Sequence, residues 1–379
     1  MTIYFFIVIF FTLIYVGLFM FYSVGFNLLP RYEKNEISSE SKISIIIAAR
    51  NEEVKISACL TDILNQTYPR ELFEIIVIDD FSTDKTAKKI ASLNSQQINF
   101  LSLKDFVNEN ENIKSFKKKA IEIAVEKASG RLIITTDADC RMGKNWLNTI
   151  VSFYEKTKCK MIAAPVTFSR EKTIFENLQS LDFIGFQGIT GACLFFNFPN
   201  MCNGANLIFE KKAFEEVGGY TNADNTASGD DMMLMHKIAK QFPRSVKFLK
   251  SRNATVFTYA QPTVKSFWSQ RIRWTSKTGF YKDWRIPAIL YSVFIFYLLI
   301  FWNGIFSILK PEFLPCFLLP VLAKMCSDYF FLFSVTAFFR RQKLMLLFFP
   351  AWIFHIVYVL IVGVAVNFVK PDWKGRKIS

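Results

Sequence analysis

Charge is missing from the start of this chain: residues 1–30 are apolar or neutral, and the first charged side chain is Arg31. About 20 apolar residues are enough to cross the hydrocarbon core of a bilayer, so residues 1–30 are expected to form an N-terminal transmembrane anchor. A cleavable signal peptide fits poorly. There is no basic leading region, the apolar stretch is too long, and no small-residue cleavage site follows. Among the seven cysteines there is no Cys-x-x-Cys pair and no regular spacing, which argues against a disulfide scaffold and fits a reducing compartment. Histidine is scarce as well: His236 and His355 are the whole supply, and two residues so far apart give no zinc site. Over residues 42–285 internal repeats and low-complexity tracts are also missing.

Phenylalanine is abundant, with 42 in 379 residues, and it concentrates towards the two ends. After Arg285 charge disappears again over 286–309 and over 344–369. Between them, 313–339 is apolar but contains Pro315, Pro320, Lys324 and Asp328. A lysine and an aspartate four apart share one helical face and neutralise each other there. The expected organisation is therefore an anchor over 1–30, a hydrophilic domain over 31–285, and a membrane domain over 286–379 with spans near 286–309, 313–339 and 344–369. A short basic tail ends the chain.

The net charge of +14 gives little support to nucleic-acid binding, because many basic residues flank apolar segments, as in Arg340-Arg341-Gln342-Lys343 and Lys370 to Lys377. Basic residues beside spans are normally retained on the cytoplasmic side. That makes an integral protein of the cell's inner membrane with a cytoplasmic 31–285 domain the expected arrangement. It carries an internal conflict: three full C-terminal spans would put the basic tail outside. Either 313–339 is re-entrant or interfacial, or the tail is an exception.

Within 42–285 short apolar runs alternate with helical stretches. Strands are expected near 43–47, 74–78, 98–103, 131–136 and 160–166, with helices near 52–65, 84–93, 116–128 and 145–155. Strands apolar along their whole length imply a mainly parallel sheet covered on both faces, an α/β, Rossmann-like fold. Ligands of such sheets bind at the carboxyl ends of the strands. There the run 74–78 ends in Asp79-Asp80, and 131–136 ends in Asp137-Ala138-Asp139. An N-cap at Ser82 or Thr83 with Asp84 favouring the helix dipole accounts for Asp84 but not for two acids ending a buried strand. Carboxylates two apart on an extended chain point the same way, and hard Mg²⁺ or Mn²⁺ takes such oxygens together with substrate phosphates. Asp230-Asp231 reads either as a helix start or as a general base for an attacking hydroxyl.

Taken in order, these features resemble the membrane-bound family 2 glycosyltransferases. The matching elements are Ala48-Ala49-Arg50-Asn51-Glu52-Glu53, Gln66-Thr67-Tyr68-Pro69, Asp79-Asp80-Phe81-Ser82-Thr83-Asp84 and Lys117-Lys118-Lys119. Asp137-Ala138-Asp139, Asn203-Gly204-Ala205-Asn206, Gly218-Gly219-Tyr220, Asp230-Asp231 and Gln270-Arg271-Ile272-Arg273-Trp274 follow. The resemblance implies a GT-A fold and an inverting hexosyl- or N-acetylhexosaminyltransferase of the cell envelope. It further implies that Asp80, with Glu52 nearby, holds the uridine of a nucleotide sugar, and that Lys117 approaches the diphosphate. Asp139, supported by Asp137, would bind Mg²⁺ or Mn²⁺, and Asp231 would be the base. Asn203, Gly204 and Asp230 would line the substrate site. Arg273, after Gln270, would neutralise the departing diphosphate, and Trp274 would stack on the acceptor.

Two departures stand out. Gly229-Asp230-Asp231 replaces the family's Thr-Glu-Asp, and Phe116 takes the place of a glycine, which leaves the register of the diphosphate lysine open by one residue. The leading expectation is transfer of one sugar to a lipid-linked or hydrophobic acceptor at the cytoplasmic face, because one N-terminal and at most three C-terminal segments are sparse for the channel that the Gln-x-x-Arg-Trp element's processive synthases need. The first alternative is a processive polysaccharide synthase (of poly-N-acetylglucosamine, for instance), whose channel would need a partner subunit or an oligomer. The second is a non-catalytic membrane scaffold.

The segment from Phe267 to Trp284, with Arg271, Arg273, Lys277 and Phe280, also describes an amphipathic helix on the membrane surface, and both readings can hold. The aromatic stretch 174–199 reads as core, or as a second membrane contact.

Overall fold

The computed structural model describes residues 2–33, 40–108, 113, 115–221, 229–276, 281, 283–369 and the backbone of 372–373 and 376–377. Lys277, Phe280 and most of the basic tail lie outside the described residues. In chain order the elements are α1 (Thr2–Leu28), β1 (Ile43–Ala49), α2 (Ile56–Leu64), β2 (Phe73–Asp79), α3 (Thr86–Ala91), β3 (Ile98–Ser102), α4 (Phe116–Lys127) and β4 (Leu132–Thr135). Next come β5 (Arg141–Met142), α5 (Trp146–Thr157), β6 (Met161–Ala163), β7 (Val166–Phe168), α6 (Ile174–Phe195), β8 (Leu207–Glu210) and α7 (Lys211–Glu216). Then follow α8 (Asp230–Gln241), β9 (Val246–Phe248), β10 (Val256–Thr258), α9 (Val264–Thr275), α10 (Arg285–Leu309), α11 (Leu314–Phe339) and α12 (Phe348–Ala365).

Contacts divide the chain into two compact units. One takes the described residues of Pro30–Arg170, Cys193–Tyr259 and Trp373–Ser379; the other takes those of Met1–Leu29, Glu171–Ala192 and Ala260–Asp372. The first is built on a seven-stranded sheet of order β3-β2-β1-β4-β8-β6-β9. Strands β3, β2, β1 and β4 are parallel, β8 runs antiparallel to both its neighbours, and β9 is parallel to β6. Six of the seven residues of β1 are buried and all four of β4 are, as expected of strands covered on both faces. Glycine is required at position 130, where a Cβ would fall 2.4 Å from the Ser44 backbone nitrogen of β1.

The single strand expected over 160–166 is instead two strands in different sheets. β6 ends at Ala163, and β7 begins at Val166 in a small sheet of order β5-β10-β7. Pro165 lies between them, and a residue without an N–H cannot continue a ladder. Its carbonyl is instead used by Val256 N at 3.0 Å and by the buried Asn206 side chain at 2.8 Å.

The second unit contains four helices long and apolar enough to cross a membrane: Thr2–Leu28, Arg285–Leu309, Pro311–Phe339 and Gln342–Ala365. Its core joins Tyr15 of α1, Phe296, Tyr297 and Ile300 of α10, and Phe348, Trp352 and Ile356 of α12. Lys324 and Asp328 of α11 do pair, and both are buried. The second Asp328 oxygen accepts from the Tyr15 hydroxyl at 2.7 Å. The stretch 174–195 forms one continuous helix, α6.

Candidate active site

Strand register decides which residues meet. Ala49 of β1 stands beside Asp79 of β2, and Ile46 beside Thr135 of β4, so the segments after all three strands leave one edge of the sheet. β8 enters at that same edge, because Leu207 pairs with Thr135. Asn203 to Asn206 therefore arrive beside the ends of the parallel strands.

At the β2 end Asp80 is 1% exposed. Arg50 Nη1 donates to the carbonyls of Asp80 and Phe81 at 2.8 and 3.1 Å, and lies 3.9 Å from Asp80 Oδ1. Glu52 is half-buried; its backbone N–H donates to Thr86 Oγ1 at 2.8 Å, and its carbonyl accepts from Lys55 and Ile56 as α2 begins. Asp84 is a structural residue. One oxygen takes the N–H and hydroxyl of Thr86, and the other takes the N–H of Glu53 at 3.1 Å. Although burial opposes it, these hydrogen bonds hold its pKa below the usual carboxylate range. The expected cap at Ser82 or Thr83 is absent: Lys85 is the N-cap of α3. Asp79 Oδ2 accepts from Ser82 N at 3.1 Å, while its Oδ1 is buried with no partner among the described residues. Phe81 has φ +53°, the left-handed conformation that a bulky side chain seldom adopts.

The β4 end holds the second carboxylate group. Lys117 Nζ donates to Asp137 Oδ1 at 2.7 Å. Burial lowers the lysine pKa, but Asp137, Asp230 and Asp231 outweigh it and raise the pKa above the usual lysine value. Lys118 is buried, and Lys119 pairs with Glu122 at 3.6 Å, so within the lysine run it is Lys117 that meets Asp137.

Asp139 lies 3.5 Å from Lys55 Nζ and accepts a long 3.4 Å bond from Thr258 Oγ1 of β10. Lys55 also sits 4.7 Å from the centre of the Tyr259 ring. Lys55, Thr258 and Tyr259 are not among the residues the sequence points to, since a contact between α2's start and β10 leaves no mark on spacing.

Ligand atoms of Asp137, Asp139 and Cys140 all lie within 4.8 Å of one another. Burial first, then Asp137 and Asp139, push the Cys140 thiol pKa well up. Two carboxylates with a thiol behind them fit a hard divalent cation that takes its remaining oxygens from substrate and water.

Asp231 joins this group through glycine. Its Oδ2 accepts from Gly204 N at 3.0 Å, and the Gly204 carbonyl accepts from Thr135 Oγ1 at 2.8 Å. Its Oδ1 accepts from Met232 N at 2.8 Å, so Asp231 also serves the helix-start reading. Asn203 Oδ1 accepts from Ala205 N at 3.0 Å and shapes the turn. Asp230, the first residue of α8, is half-buried; the buried Tyr220 has its hydroxyl pKa pushed well up by burial, then by Asp230 and Asp231.

In the other unit, Gln270, Arg273 and Trp274 lie on α9, half-buried. Arg271, one of the basic residues of the membrane-surface reading, is 3% exposed. Its Nη2 donates to Asp182 Oδ2 of α6 at 2.7 Å, and Asp182 Oδ1 accepts from Tyr358 at 2.8 Å and meets His355 Nδ1 at 2.7 Å. The guanidinium lies 4.5 Å from the Trp274 ring centre and 4.8 Å from that of Phe267. Burial raises the Asp182 pKa, but Arg271, His355 and Tyr358 hold it below the usual range. Asp182 is hidden in the sequence within an aromatic stretch. A lone acid between Leu181 and Phe183 is the signal that could reveal it.

Comparison with known proteins finds related sequences and a related fold. The family model described as Glycosyl transferase family 2 matches residues 44–218, and that described as Glycosyl transferase family group 2 matches residues 132–366. The probable glycosyltransferase YdaM of Bacillus subtilis (strain 168) is 24% identical over 294 residues, 74% of this chain and 67% of its own length. The poly-β-1,6-N-acetyl-D-glucosamine synthase of Staphylococcus epidermidis is 24% identical over 249 residues, 64% of this chain and 55% of its own. This chain thus spans about two thirds of the first relative and about half of the second. Among solved structures, the mannosyltransferase PcManGT from Pyrobaculum calidifontis, in complex with GDP-Man and Mn²⁺, superposes with a TM-score of 0.57 at 16% identity. That likeness covers 96% of this chain and 98% of the other, and is a likeness of fold.

Proposed function

The chain belongs to the family 2 glycosyltransferases, and on that premise we propose that it moves one sugar from a nucleotide-sugar donor, a UDP-sugar first of all, to a lipid-linked or hydrophobic acceptor at the cytoplasmic membrane face. The observation that carries the reading is the convergence of Lys117, Asp137 and Asp231 at one edge of the sheet. A cation and a base are brought to the same place, as displacement of a diphosphate by a hydroxyl requires.

In this reading Asp80 and Glu52 hold the nucleoside, and Lys117 balances the diphosphate. Asp139 and Asp137 hold Mg²⁺ or Mn²⁺; when bound, the cation neutralises charge on the departing diphosphate. Asp231 accepts the proton of the acceptor hydroxyl, on the face of the sugar opposite the leaving group, which gives a single displacement with inversion. Asn203 and Gly204 position Asp231, and Asp230 shapes the acceptor side. Gln270, Arg273 and Trp274 take the roles that motif order gives them: charge compensation for Arg273 and acceptor stacking for Trp274. The Mn²⁺ in the PcManGT complex supports the metal assignment, and the apolar helices of the present chain support a lipid acceptor.

The test is Asp231→Asn, measured twice. Transfer from radiolabelled donor is expected to fall by about 100-fold or more, the range of a general base. Binding of nucleoside diphosphate with Mn²⁺ is expected to persist. Retained turnover would sink the base assignment. A processive synthase is the second reading, favoured by the likeness to the staphylococcal poly-N-acetylglucosamine synthase; a ladder of product lengths, where one-sugar transfer gives a single product, would select it.

A further inference from the structure

We infer that α12 does not cross the membrane: it lies across the helical bundle near mid-depth, is entered and left on the side from which α10 starts, and rests an uncharged face on the acyl chains. The inference is independent of the proposed reaction. It is carried by the levels at which α12 meets its neighbours.

Three helices set the depth scale. Tyr4, at the start of α1, donates to Asn303 at 2.8 Å and packs on Phe313, both at the far end of α10 and its turn. Midway, Tyr15 stacks on Phe296 at 4.4 Å and bonds Asp328 of α11. Near its other end, Phe26 meets Phe338 at 6.0 Å. Helices α1, α10 and α11 therefore run the full depth of the bundle in alternating directions. The end of α1, the start of α10 and the end of α11 share one side.

Helix α12 fits no such progression. Phe348, its first residue, packs on Tyr329 at 5.3 Å, one residue from Asp328 and so near the level of Phe296. His355 lies 5.8 Å from the Tyr297 ring. Gly363, near its last turn, is pressed so closely by Phe294 that a Cβ would fall 2.5 Å from that ring. From Phe348 to Gly363 the helix advances roughly 22 Å along its own axis at 1.5 Å per residue. Its contacts on α10 move from Tyr297, met by His355, to Phe294, met by Gly363, about 4.5 Å by the same rise, while α12 itself advances about 12 Å between those two residues. A helix running beside α10 would have travelled the whole distance along it.

The far half of α12 is tied to the side where α10 begins. Tyr358 and Val362 pack with Phe267 and Ile272 of α9, the helix that precedes α10 in the chain. On the opposite face, Phe349, Ile353, Val357, Ile361 and Val364 are 44–58% exposed, and the helix carries no Lys, Arg, Asp or Glu. A stripe of that composition at that depth matches hydrocarbon rather than headgroups or a polar partner. The arrangement also bears on the charge conflict: a chain that leaves α12 on the side of Arg340, Arg341 and Lys343 is expected to carry its basic tail on that side.

The full chain in sealed membrane vesicles, labelled by a membrane-impermeant maleimide, tests this through Glu312→Cys, Lys343→Cys and Ser379→Cys, each read as labelling above the parent. Ser379→Cys is expected to label from the same side as Lys343→Cys and opposite to Glu312→Cys. Labelling of Ser379→Cys together with Glu312→Cys overturns the proposal. Should a cysteine variant fail to fold, C-terminal green fluorescent protein and alkaline phosphatase fusions of the parent chain report the side of the tail directly. The same reporter active at the tail as in a fusion truncated after Lys343 supports the proposal, and opposite reporters at the two positions overturn it.

Discussion

Lys117 shows how one side chain is fixed by three acids. Asp137 bonds it directly, and Asp230 and Asp231 add to the pull, so its charge persists against burial. Replacing it by methionine, Lys117→Met, removes a charge-assisted contact worth about 1.5–3 kcal/mol. Nucleoside-diphosphate affinity is then expected to fall about 10- to 100-fold by calorimetry, with the fold unchanged by circular dichroism; unaltered affinity would remove Lys117 from the diphosphate site. Much of this group is legible in the sequence because apolar strands stop abruptly at acids, and register then brings those acids to one edge. Lys55 is not legible. Its position beside Asp139 and Tyr259 depends on α2 and β10 meeting in space, and nothing local to Lys55 encodes that.

At the scale of elements, α9 is easy to find and easy to misread. Aromatic and basic residues at helical spacing describe a membrane-surface helix, and only the structure shows that Arg271 turns inward to Asp182. Two of its nitrogens, Nε and Nη1, have no hydrogen-bond partner among the described residues, so Asp182 carries most of the compensation for a buried cation. Removing one member of a buried pair costs about 3–5 kcal/mol, whereas replacing both by apolar residues is often nearly neutral. Asp182→Leu is therefore expected to lower the melting temperature in detergent markedly, and the double variant Asp182→Leu with Arg271→Met to recover most of the loss. A double variant no more stable than the single would show that the pair is not the source of the cost. The expected strand 160–166 breaks for a different reason: apolar patterning runs straight through Pro165, but the missing N–H there ends the ladder. The direction of α12 is not encoded in composition at all, since a helix lying across a bundle and one crossing a bilayer share the same residues.

Over the whole molecule, a catalytic sheet and a set of apolar helices belong to one chain, and its family membership makes it a glycosyltransferase. The donor, the acceptor and the metal are bound together in one expected behaviour. The most direct measurement is nucleoside diphosphate release by purified membranes given UDP- and GDP-sugars with Mn²⁺, with and without added lipid extract. Release is expected from one donor, rising with lipid, stopping when a chelator removes the divalent ion, returning when the ion is restored, and lost in Asp139→Asn. Full-rate release with the chelator present, or no release from any nucleotide sugar in the presence of metal and lipid, would contradict it.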